Sequence, residues 1–174
     1  MEIELEVGYN FFGEKHLAQV GYVIMVIARP GGKVLLMRKS MYPPGIYRLP
    51  SGKIHEGETP EEALVREGYE ETGFDLSGSE LLDTITFTFR SKEKAMTWQS
   101  YVFLAADQLG EPQVKDLDEK ISEFREVSPC DLEEIACQLE SLPPGHWGDW
   151  GRFRAVEHRL VCRRLCPESS RRAN

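Results

Sequence analysis

Glutamates stand at positions 67, 70 and 71 of the chain, directly after Arg66. If this segment is helical, Glu67 and Glu71 lie one turn apart with Glu70 beside them, and three carboxylates crowd one surface. Each like-charge pair at that spacing opposes a helix by roughly 0.2–0.5 kcal/mol. Two arrangements accommodate such a cluster. One is a solvated acidic face. The other is a divalent metal site, because Mg2+ or Mn2+ takes oxygen ligands, keeps several waters, and suits one or two carboxylates per ion together with a substrate phosphate.

The elements that must carry these side chains are legible around them. Thr59 is a good N-cap, Pro60 fits the first helical position, Glu62 stands where a capping-box acid belongs, and Gly73 suits a left-handed C-terminal residue. A helix over Pro60–Thr72 is therefore expected. Upstream, Ala18–Ala28 and Lys33–Met37 read as strands joined by the turn Arg29-Pro30-Gly31-Gly32. Downstream, Asp83–Phe89 and Trp98–Ala105 read as a second hairpin, and Phe124–Ser128 as a last short strand. Leu132, Ile135, Ala136 and Leu139 recur at helical spacing and predict a helix over Pro129–Leu142, stopped by Pro143-Pro144-Gly145. A final amphipathic helix is expected over Trp150–Cys166, with Phe153, Val156 and Leu160 on one side and arginines around them. Strands mixed with two or three helices make one α+β unit.

Gly52, five residues, Glu58, seven residues, Arg66-Glu67, two residues, Glu70-Glu71, one residue, Gly73 and the apolar Phe74 together closely resemble the Nudix box. The flanking Leu49-Pro50 is similar to the family as well. Gly68 is the one departure, standing where the family has an aliphatic residue that packs the helix on the sheet. Glycine there costs about 1 kcal/mol against alanine, so either the helix approaches its neighbour closely or it is loosened.

The resemblance implies an αβα sandwich with a mixed central sheet, and hydrolysis of a phosphoanhydride in a nucleoside-diphosphate-linked substrate. By the same resemblance Glu67, Glu70 and Glu71 are metal ligands, joined by a backbone carbonyl of Ser51 or Gly52. Arg66 orients the glutamates through charge-assisted hydrogen bonds, and Glu67 or Glu70 takes the proton of the attacking water. A further carboxylate ligand is expected after the second hairpin. Asp116, Asp118, Glu119 and Glu123 compete for that role, and Glu119 is favoured because it lies a short loop before the last strand. Arg38 and Arg48 are candidates for holding phosphate. Trp147 and Trp150, near His146, Arg152 and Arg154, either stack on a base or pin the last helix to the core. Two rival functions remain within the same fold: a non-catalytic nucleotide-binding or regulatory domain, and an RNA-end-processing hydrolase.

The 174 residues suit a Nudix domain over 1–142, with a Trp- and Arg-rich helix and tail over 143–174 packed on it. The formal charge of −8 disfavours general nucleic-acid binding. The segment from Arg152 onward, with arginines that include Arg171 and Arg172, carries about +5, enough to meet phosphates or simply to stay solvated. No apolar run reaches the length of a membrane span. The cysteines at 130, 137, 162 and 166 form no paired C-x-x-C pattern, so reduced thiols, a cytoplasmic location and no structural zinc are expected. The expected partner is a small-molecule nucleotide, with a homodimer possible for the family.

Overall fold

A computed structural model describes residues 1–8, 21–92, 95–106 and 108–167. The first residues of the strand expected from Ala18, and Arg171 and Arg172 of the basic tail, lie outside them.

The strand β2 (Gly21–Arg29) is apolar at nearly every position because both of its faces are covered. Val23, Met25 and Ile27 belong to one core with Ala63 and Leu64 of the helix α1 (Pro60–Thr72). Ile24 and Val26 belong to a second core with Leu132 and Ile135 of α2 (Leu132–Glu140) and Phe153 and Leu160 of α3 (His146–Leu165). The result is the expected αβα arrangement around a mixed sheet.

The remaining strands are β1 (Glu2–Glu6), β3 (Lys33–Lys39), β4 (Ser51–Ile54), β5 (Glu80–Arg90), β6 (Ala95–Ala105) and β7 (Ile121–Val127). Their order is β1-β5-β6-β2-β3-β7, with β4 paired to β2 outside that path. The two expected hairpins are present, as antiparallel β2/β3 and β5/β6 pairs. They are joined by a parallel β2/β6 pair running from Gly21↔Gln99 to Ile27↔Ala105. On its other side β2 is shared: its first half pairs with β4 (Val23↔Gly52, Ile24↔Ser51) and its end with β3. This sharing fixes the loop ahead of α1 against the centre of the sheet.

Helix α1 has the expected limits. Thr59 and Glu62 form a reciprocal capping box, and Gly73 ends the helix at φ 74°. The other helices differ in detail. A 3-10 turn over Pro129–Asp131 precedes α2, capped by the Ser128 side chain. Helix α3 starts four residues before the expected Trp150, at His146, and Asp149 in its first turn accepts hydrogen bonds from Gly8 N at 2.7 Å and Arg152 at 2.5 Å. Its arginines do not all ring the apolar side, because Arg154 is buried together with Glu157 and His158.

The cysteine expectation needs correction. Cys130, ahead of α2, and Cys166, just past α3, form a disulfide, while Cys137 and Cys162 remain thiols. Sequence separation concealed a pairing that depends on α3 running back along α2. Among the described residues, no helix is long and apolar enough to cross a membrane.

Candidate active site

The site is assembled from three places in the chain: β4 with the loop before it, the sheet-facing side of α1, and the turn before β7. Glu67 and Glu71 leave α1 on its packed side, at 6% and 0% exposure. Glu67 Oε1 accepts from Lys53 N at 3.0 Å and from Arg66 Nη1 at 2.9 Å. A β-carbon on residue 52 would overlap the Glu67 carboxyl group, so only glycine lets β4 and this carboxylate meet.

Arg66 is fully engaged. Nε and Nη2 donate to the two Glu58 oxygens, each at 2.8 Å, Nη2 also donates to Lys53 O at 2.9 Å, and Nη1 reaches Glu70 Oε2 at 3.1 Å. Glu58 anchors this arginine and also accepts from His55 N. Pairing with Arg66 lowers the Glu58 pKa, and the carboxylates hold Arg66 firmly protonated.

Glu119 lies at the end of a 3-10 turn, Leu117–Glu119, whose cap is Asp116. This turn brings it to Glu67 and Glu71, and one oxygen from each of the three lies within 4.8 Å of the others. Neither Glu71 oxygen has a hydrogen-bond partner. Lys39 Nζ stands 3.2 Å from Glu71 and also pairs with Glu119. Burial pushes the Glu71 carboxyl up to about 7 against the opposing pull of Lys39 and Arg48. Burial raises Glu67 as well, opposed by Arg66. A buried acid with no hydrogen bond to either oxygen, next to two further carboxylates, could hold a cation in place of the Lys39 ammonium. Three hard oxygen donors fit Mg2+ or Mn2+ better than a soft metal.

Lys39, Arg66, Glu67, Glu70 and Glu119 line a cavity of about 540 Å3, whose walls also include Ser51, Gly52, Asp116 and Asp118; Glu71 lies behind them. Glu123 lies elsewhere, bound to Arg38 at 3.1 Å and to the Tyr47 hydroxyl at 2.5 Å, so Arg38 is not brought to the cavity wall. Arg48 does line the cavity, but buried, donating to the Tyr42 hydroxyl, Leu49 O and Ser51 Oγ at 2.7 Å each. Trp150 lines the cavity and packs 5.0 Å from the Tyr42 ring, whereas Trp147 packs edge-on against both Tyr42 and Trp150 without facing the cavity.

The NUDIX domain model matches residues 18–149, most of the chain. The chain belongs to the NUDIX family. The relatives include the 8-oxo-dGTP diphosphatase of Proteus vulgaris, 39% identical over 54 residues, which are 31% of this chain and 48% of that protein. The NAD-capped RNA hydrolase NudC of Chromobacterium violaceum is 36% identical over 61 residues, 35% of this chain and 23% of that protein. The chain thus spans half or less of the curated relatives it matches. Among solved structures, the MutT NUDIX hydrolase of Burkholderia pseudomallei superimposes with a TM-score of 0.54 at 24% identity, over 84% of this chain and 97% of that one.

Within the NUDIX fold, Lys39 and Tyr42 are site residues that sequence reasoning missed. Both lie outside the box: Lys39 is placed by the pairing of β3 with the distant β7, and Tyr42 by the turn after β3 and its hydrogen bond from Arg48.

Proposed function

We propose that this NUDIX protein is a metal-dependent hydrolase that cleaves a phosphoanhydride bond in a small-molecule nucleotide. The observation that carries the reading is Glu71, wholly buried with no hydrogen bond to either oxygen, beside Glu67 and Glu119, which line the cavity. Glu67, Glu71 and Glu119 would hold the metal, with Ser51 or Gly52 offering a backbone carbonyl. Bound there, Mg2+ or Mn2+ would polarise a phosphoryl oxygen and lower the pKa of an attacking water.

The protein's own groups divide the remaining work. Arg66 fixes Glu67 and Glu70 relative to β4 through Lys53 O, so the carboxylates keep their places as charge changes. Glu70 stands on the cavity wall with Oε2 bound to Arg66, leaving Oε1 to take the proton of the attacking water. Glu58 occupies Nε and Nη2 of Arg66, so that Nη1 is the nitrogen that reaches Glu67 and Glu70. The described part of the C-terminal segment, residues 143–167, acts as one unit with the described residues before it, because Phe153 and Leu160 share a core with β2.

The test is phosphate release from nucleoside triphosphates including 8-oxo-dGTP, ADP-ribose, dinucleoside polyphosphates and nucleotide sugars, with and without Mg2+ or Mn2+. Turnover that needs metal and is abolished in Glu71→Gln is expected. Turnover that survives in Glu71→Gln, or none by wild type on any compound, would overturn the reading.

A further inference from the structure

The cations on the cavity wall are not all answered by carboxylates. Lys39 is held between Glu71 and Glu119, and Arg66 among Glu58, Glu67 and Glu70. Arg48 differs. It is 4% exposed, and every group it donates to is neutral: the Tyr42 hydroxyl through Nε, and Leu49 O and Ser51 Oγ through Nη1. Arg154 of α3 is equally buried, with Nη1 donating to Glu157 Oε2 at 3.1 Å and Nε shut off from solvent without a partner. The two guanidiniums come together at Tyr22 of β2: Arg154 lies 4.6 Å from the centre of its ring, and both charges act on its phenol.

Each guanidinium has one nitrogen left. Nη2 of Arg48 and Nη2 of Arg154 donate to no described residue and are not shut off from solvent, so both offer N–H groups to the cavity that these residues line. The Tyr22 hydroxyl is likewise open and makes no hydrogen bond to a described residue, and burial raises its pKa, which keeps it a donor.

Charge decides what kind of acceptor this set suits. Of the carboxylates that act on the two arginines, Glu157 is paired with Arg154, and Glu71 has Lys39 beside it. Arg48 is left with a buried charge that forms no ion pair with a described residue, which is costly unless an anion meets it. Geometry then separates the anions. A carboxylate is gripped by two parallel N–H groups along one edge of a guanidinium, and neither arginine has an edge with both nitrogens available. A phosphate turns its oxygens in different directions and accepts single donors from separate side chains, as two Nη2 groups and a hydroxyl supply them.

We propose that Arg48, Arg154 and Tyr22 form a phosphate subsite, which holds without metal a phosphate of the nucleotide other than the one at the carboxylate cluster. The inference rests on reading the cavity as a nucleotide site, and it is independent of whether that nucleotide is cleaved.

The experiment is calorimetric binding of AMP and adenosine to the full chain without metal. In that state the carboxylate cluster repels phosphate, and AMP has no phosphoanhydride to cleave. Wild type is expected to bind AMP at least about tenfold more tightly than adenosine, as charge-assisted hydrogen bonds would give. Arg48→Met should bring the two affinities to within about twofold by weakening AMP alone. Tyr22→Phe keeps the ring under Arg154 and changes no charge, so it separates direct contact from a general effect of potential. It should weaken AMP about threefold or more and leave adenosine unchanged, and it decides the matter if Arg48→Met does not fold. Equal affinities in wild type, a preference that persists in folded Arg48→Met, or one that Tyr22→Phe leaves intact, would overturn the proposal. A phosphate preference of this kind without hydrolysis of any substrate would instead sink the hydrolase reading and leave this one standing.

Discussion

Helices α1 and α3 both bury charge, on opposite faces of the same sheet, and they treat it differently. In α3 the buried groups satisfy one another. Arg154 pairs with Glu157, Ser100 takes the second Glu157 oxygen, and His158 is held from both sides, with Nδ1 at 2.7 Å from Arg154 O and Nε2 accepting from Leu49 N at 3.0 Å. In α1 the most deeply buried carboxylate, Glu71, has no hydrogen bond at all. Buried ionised groups are costly unless both paired and hydrogen-bonded, and Glu71 has the Lys39 charge beside it but no hydrogen bond, so the α3 set reads as structure and the α1 set as a candidate cation site. The exception in α3 is the Nε of Arg154, buried without a hydrogen-bond partner.

The largest contrast should come from replacing one glutamate in each helix. Glu71→Gln removes a wholly buried carboxylate that accepts no hydrogen bond and faces only the Lys39 ammonium, 3.2 Å away. Hydrolysis should fall roughly a thousandfold, several kcal/mol of transition-state stabilisation, while the metal-free melting temperature at neutral pH holds or rises. Glu157→Gln leaves Arg154 buried without its carboxylate, and should cost about 3 kcal/mol, a drop of roughly 6–12 °C in a chain of this size. Similar melting losses in the two variants would erase the distinction between the helices.

pH sharpens the same comparison, because the two buried titrating groups move in opposite directions. Glu71 is raised from 4.5 to about 7 by burial. Between those values the folded protein keeps a proton that the unfolded chain has released, so stability falls as pH rises through that window. The loss is at most about 3 kcal/mol, since one pKa unit is worth ~1.4 kcal/mol. His158 is lowered from 6.5 to about 3, also by burial. There the unfolded chain takes up a proton that the folded one refuses, so stability falls as pH drops below 6.5. Urea denaturation of wild type, Glu71→Gln and His158→Gln across pH 4–8 should give difference curves of opposite slope. Mg2+ or Mn2+ should add more stability at pH 8 than at pH 5, and should add none to Glu71→Gln.

The sequence was most readable where the determinants are local. Thr59, Glu62 and Gly73 mark the ends of α1 through contacts within a few residues, and those ends are where the structure places them. The two hairpins were visible for the same reason. Glu119 was reachable because a carboxylate was sought in one short loop. Pairings between distant segments were hidden. β1 carries an alternation, Ile3 and Leu5 between glutamates, too short to read without its parallel partner β5. The Cys130–Cys166 bridge, the buried Arg154–Glu157–His158 set and the position of Lys39 all follow from packing between segments 30 or more residues apart. α3 also disguised itself, because arginines at helical spacing normally signal a solvated face.

Gly68 is the smallest test and bears on how α1 is seated. The structure decides between close approach and a loosened helix: a β-carbon at 68 would lie 2.5 Å from Leu76 Cδ1 and 2.6 Å from its Cγ. Leu76, buried in the α1-side core, fills the space that an aliphatic residue on the helix would otherwise occupy. Alanine at 68 would gain about 1 kcal/mol of helix propensity but overpack a filled position, which typically costs 1–3 kcal/mol. Gly68→Ala is therefore expected to destabilise by about 1 kcal/mol, and to lower activity several-fold because Glu67 and Glu71 flank the disturbed turn. In a Leu76→Ala background the two clashing atoms are gone and only the residue-76 Cβ, 3.3 Å away, remains close, so the same substitution should stabilise, by up to about 1 kcal/mol. Urea denaturation of the four proteins reads this change of sign directly. If Gly68→Ala stabilises the wild-type background too, Leu76 has room to move, and tight seating of α1 is not what keeps the acidic cluster in place.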